Sequence, residues 1–117
     1  MRVIRIFDGA DGEARFEDIE LDLVLDDLAP PAPPLEQSAH LAARETFLLR
    51  FTPGWTGPRH PAPARQLMAF TMGRLEVDAG GEIRTIGAGD VVLLEDTAGS
   101  GHRTTAVEET VALVVRL

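Results

Sequence analysis

Between Pro53 and Gly101 a glycine or proline falls at least once in every ten residues. Glycine supplies the positive φ that tight turns need, and proline interrupts both helices and sheet ladders. The runs left between them have the length of strands. Arg74 to Asp78 and Glu82 to Ile86 flank Ala79-Gly80-Gly81, which reads as a hairpin. Gly87-Ala88-Gly89-Asp90 is a second turn, and the apolar run Val91 to Leu94 follows it. Gln66 to Thr71, His102 to Val107 and Thr110 to Leu117 read as further strands, with Gly73 closing the first of them. The last run is apolar on both faces, so it is expected inside a sheet.

The N-terminal half is less punctuated but has the same period. Met1 to Phe7 has the composition of a first strand, and Asp8 to Gly12 is rich in Asp-Gly turn signals. From Phe16 onward Ile19, Leu21, Leu23 and Leu25 alternate with Glu20, Asp22, Val24 and Asp26. A period of two predicts a strand with one face buried and the other wet. Ala29 to Pro34 is a proline-rich connector, Leu35 to Ala43 fits either a helical turn or irregular chain, and Glu45 to Phe51 reads as strand. Pro53 to Pro63 is a loop carrying Trp55 and His60, and Glu95 to Gly101 is a polar loop leading to His102. The fold class expected is all-β: an antiparallel β-barrel or double-sheet jelly roll, one domain over residues 1–117.

Composition narrows the function. The net charge of −8, scattered arginines, one tryptophan and no tyrosine argue against nucleic acid, which needs a basic stripe and stacking platforms. No apolar run approaches the roughly 18 residues that span a bilayer, so no membrane association is expected. There is no cysteine, hence no disulfide framework and no thiolate metal site. With no cleavable leader apparent, a soluble cytoplasmic protein is expected.

Gly54, His60, Gln66 and Gly73 stand in the order and at the intervals of the first motif of the cupin superfamily. Gly81, the turn Gly87-Ala88-Gly89-Asp90 and His102 follow the order of the second. The chain therefore resembles a small single-domain cupin. The stretches Asp11 to Asp18, Pro61 to Gln66, Gly80 to Glu82 and Glu95 to His102 look like one bacterial subgroup of unsettled function. The resemblance implies a pocket lined by His60, Gln66 and His102. In metal-binding cupins three histidines and a glutamate hold the ion. Here Ala62 stands at the second histidine position, Gln66 at the glutamate position, and Gly87 replaces the proline of the second motif. Two imidazoles and a neutral oxygen would hold a divalent transition metal less tightly than the full set. Glu95 or Asp96 is a conceivable replacement ligand. The plain alternative is that His60 and His102 are pocket or core residues satisfied by hydrogen bonds.

Strand parity sorts the neighbours. If Gln66 points into the barrel, Met68 and Phe70 share its face and Arg65 points out towards an ion pair; Arg103 stands to His102 as Arg65 to Gln66. Trp55 is placed either to lid the pocket or to anchor its loop. Ser100 lacks a nucleophile-elbow context, and the glycines form no phosphate loop. Three functions remain open: a metal-dependent oxygenase or isomerase, a metal-free enzyme using His60 or His102 as a general base, and a non-catalytic ligand-binding or sensor domain. The partners expected are a small-molecule ligand and a second copy of the chain. The homodimer would pair through Arg2 to Phe7 and Val111 to Leu117, with Arg65 meeting acids such as Glu20 or Asp22.

Overall fold

A computed structural model describes all of residues 1–117. It contains eleven strands and no helix. They are β1 (Arg2–Asp8), β2 (Ala14–Glu20), β3 (Val24–Asp26), β4 (Leu35–Gln37), β5 (Glu45–Phe51) and β6 (Gln66–Met72). The rest are β7 (Arg74–Ala79), β8 (Glu82–Gly87), β9 (Val91–Glu95), β10 (His102–Ala106) and β11 (Thr110–Arg116).

Two sheets face each other as a jelly-roll sandwich. The larger has six strands in the order β2-β1-β9-β6-β11-β5, and the smaller has three in the order β10-β7-β8. Pairing is antiparallel except between β1 and β9, which run parallel. This is a local departure from the all-antiparallel expectation. The apolar residues of period two meet between the sheets. Ile4 and Ile6 of β1, Met68 and Phe70 of β6, and Ala112 and Val114 of β11 pack with Leu75 and Val77 of β7 and Ile86 of β8. Fully burying one such aliphatic side chain stabilises the fold by about 1.5–3 kcal/mol.

Both terminal strands are interior to the large sheet, and its edges are β2 and β5. The two-faced apolar character of β11 matches its place between β6 and β5. Val3, Ile4 and Ile6 are buried within the chain itself. The β7–β8 hairpin turns at Gly80 and Gly81, both with positive φ.

The alternating run from Phe16 to Asp26 is not one strand. β2 ends at Glu20, and β3 pairs only with β4, forming a separate two-stranded unit. Val24 and Leu25 are both 66 % exposed, so neither face of β3 is covered. The reason is positional: no strand of the smaller sheet pairs with this hairpin, and alternation alone cannot bury a face. Residues Leu35–Gln37 of the ambiguous segment supply the other strand of that hairpin.

Candidate functional site

A cavity of about 380 Å³ lies between the two sheets. Its lining contains His60, Gln66, His102, Met68, Phe70 and Trp55, together with Phe47, Thr104 and Arg116. Gln66, Met68 and Phe70 are the inward residues of β6, as parity requires. Gln66 lies opposite Leu94 of β9 on one side and Arg116 of β11 on the other. β9 leaves the sheet level with Gln66, and the loop after it delivers His102 to the start of β10. His60, Gln66, His102 and Arg116 thus lie towards one end of a largely apolar cavity, with Arg50 on the wall near the other end of β5.

His60 is held at that end by the backbone. His60 N–H donates to the His102 carbonyl at 3.0 Å, and His102 N–H returns the bond at 3.1 Å. The two imidazoles stand 5.3 Å apart between centroids. This approach depends on Gly101, whose φ is +80°. A Cβ there would run into the His60 carbonyl.

Each imidazole is oriented through Nδ1. In His60, Nδ1–H donates to the Pro61 carbonyl at 2.9 Å. In His102, Nδ1–H donates to Asp96 Oδ2 at 2.6 Å. A carbonyl can only accept, so Nε2 is the nitrogen left free on His60. Nε2 is likewise the free nitrogen of His102. Asp96 is 0 % exposed, and its backbone carbonyl accepts from Ala62 N–H at 2.9 Å, tying the two loops together. Three buried polar atoms have no partner: Gln66 Oε1, Asp96 Oδ1 and Arg116 Nε.

The two acids weighed as replacement ligands part company here. Glu95 accepts from Arg5 at 2.5 Å and from Arg65 at 2.6 Å on the opposite face of the sheet from Leu94. Burial opposes its ionisation, but the hydrogen bonds from Arg65 and Arg5 outweigh that and hold its carboxyl below the usual range. Asp96 commits Oδ2 to His102, and its Oδ1 is buried without a partner. No group of three His, Cys, Asp or Glu side chains could hold a metal ion. Ala62, at the second histidine position, is a buried member of the core. The donors present are therefore two imidazoles and one amide, which lack the anionic charge and the ligand count of a closed site.

Trp55 is 40 % exposed and meets Phe51 edge-to-face at 5.2 Å. It thus sits over the cavity as a partly open wall rather than as a buried anchor. Two functional features escaped the sequence reading. One is Asp96 as the partner of His102, for which the only signal was an acid six residues before a histidine. The other is Arg116, which shares parity with Ala112 and Val114 and so points inward.

No protein-family model matches the sequence, and no curated protein matches it. Solved structures do. A conserved protein of unknown function from Streptococcus pyogenes superposes with a TM-score of 0.50 at 21 % identity, covering 68 % of each chain. A cupin superfamily protein from Desulfitobacterium hafniense gives 0.49 at 12 % identity over 80 % of this chain and 97 % of its own. KdgF from Halomonas sp. gives 0.46 at 22 % identity over 80 % and 86 %. The chain shares its fold with the first of these. At these identities the likeness is one of fold alone, and one fold hosts many chemistries.

Proposed function

We propose that this chain is a small-molecule-binding cupin domain whose ligand sits between the sheets, with its polar group at His60, Gln66 and His102. The observation that supports it most is the gathering of oriented polar groups towards one end of a largely apolar cavity. Such a combination is the usual form of a small-ligand site. Binding to the native state raises the melting temperature by mass action. A thermal-shift screen of small organic molecules is expected to give hits that disappear in Leu49→Trp, which fills the half-buried cavity wall on β5. Hits of equal size in that variant would place the ligand elsewhere and overturn the proposal.

A divalent transition metal held by His60, His102 and Gln66 is the second reading. The Nδ1 bonds of both imidazoles favour it, since metal-ligating histidines commonly donate their other N–H to a carboxylate or carbonyl. Such an ion would supply Lewis-acid chemistry at the polar end. Elemental analysis of protein purified without chelators is expected to give one ion per chain on this reading. A value near zero after metal supplementation leaves the first reading alone. The carboxylate of Asp96 orients the His102 imidazole as the partner of a general base does, which supports a metal-free enzyme. Turnover of a bound ligand would separate an enzyme from a sensor. We further propose that the chain pairs with a second copy of itself.

A further inference from the structure

We infer that the cavity selects ligands carrying a carboxylate, which Arg116 receives with Gln66 beside it. The inference rests on the binding reading above and gives its ligand a chemical class.

The charge distribution points this way first. The chain carries 19 acidic and 11 basic side chains, yet the cavity lining includes Arg50 and Arg116 and no aspartate or glutamate. Each of the two arginines has one acidic partner outside the lining, Glu45 for Arg116 and Glu109 for Arg50. The local geometry is more specific. Arg116 is the inward residue at the end of β11, directly opposite Gln66. Its Nη1 donates to the exposed Glu45 at 2.6 Å, and its guanidinium lies 5.2 Å from the centre of the Phe47 ring. These two contacts fix the plane of the guanidinium before any ligand arrives. Its Nε is buried and has no partner. A buried N–H that bonds to nothing within its own chain is rare.

Gln66 stands across the strand pair with its own orphan. Its Oε1 is buried and unpartnered. The amide can present either its oxygen or its NH₂ at that point, so it can donate to a second ligand oxygen. A planar, singly charged group with two acceptor oxygens matches these donors, and the aliphatic and aromatic walls accept an apolar body behind it. A doubly charged phosphate would leave charge uncompensated in walls of this kind.

The test uses the full chain and Trp55, its one tryptophan, which lines the cavity and reports occupancy by fluorescence. Straight-chain and aryl-alkyl carboxylates such as 4-phenylbutyrate are titrated beside their primary amides, alcohols and phosphonates. The acid is expected to bind at least about tenfold tighter than its amide. Arg116→Gln is expected to erase that preference, and Arg103→Gln, at an exposed arginine of β10 outside the cavity lining, to keep it. Arg116→Lys, which retains charge without the fork, is expected to keep part of it and guards against a variant that misfolds. Equal binding of acid and amide, a preference for phosphonate, or an acid preference that survives Arg116→Gln in a folded protein would overturn the carboxylate assignment and leave the binding site standing. Failure of every probe to bind would overturn both.

Discussion

Glu95 shows how one side chain ties sheet electrostatics to pH. It lies beside Asp96 in sequence but faces away from the cavity, between Arg5 and Arg65. Its carboxyl is held below the usual range in the fold, so its contribution to stability is present above the unfolded value of about 4.3 and is lost as pH falls through the lower folded value. Glu95→Gln is expected to lower stability by about 1 kcal/mol at pH 7, the scale of partly exposed ion pairs. Urea denaturation at pH 7 and pH 3 checks this: the gap between variant and parent should narrow at the lower pH. A gap independent of pH would mean that packing, and not the carboxylate, carries the effect. Residue placement was legible where it follows from parity. Gln66, Met68 and Phe70 share one face because alternation along a strand is a local property. The bond from His102 to Asp96 was not legible, because the path of the loop from Glu95 to Gly101 decides it, and no periodicity governs a loop.

At the scale of elements, turn chemistry travelled well from sequence to structure, and long-range pairing did not. The β7–β8 hairpin was readable because Gly80 and Gly81 carry the turn within themselves. The parallel pairing of β1 with β9 joins Ile4 to Val92, and nothing near either residue encodes it. The alternation from Phe16 to Asp26 misled for a related reason: it marks strand-forming chain but does not say what covers the apolar face. Gly101 joins element to site, since the loop before β10 can approach His60 only without a side chain. Gly101→Ala puts a Cβ on a residue with φ of +80° and against a backbone carbonyl. It is expected to cost about 1–3 kcal/mol. Chemical denaturation measures that loss. Nuclear magnetic resonance of the imidazoles should show His60 and His102 shifted together. Unchanged stability would mean that the His60–His102 backbone bridge is dispensable.

The whole molecule leaves apolar side chains uncovered on the β3–β4 hairpin and on the β5 edge. Val24 and Leu25 of β3 and Leu35 of β4 are 56–66 % exposed, and Leu48 on the edge strand β5 is 73 % exposed. An isolated two-stranded hairpin is marginal in water, so β3 and β4 need a surface to lie on. Their own chain does not provide one: each pairs only with the other. The terminal strands first expected at a dimer interface are interior to the large sheet, and Arg65 is already bonded to Glu95 within the chain. The proposed dimer therefore uses the β3–β4 hairpin of each copy against the β5 edge of the other. A two-fold arrangement covers both patches at once and closes on itself, which an unrelated partner would do only once. Light scattering at micromolar concentration should give twice the 12.6 kDa chain mass. Replacing Leu25 and Leu35 together by glutamate should return that mass to a single chain while the β-type dichroism persists, because neither side chain belongs to the core. A parent protein that scatters as one chain would refute the dimer, and a double variant that stays paired would move the interface off the hairpin.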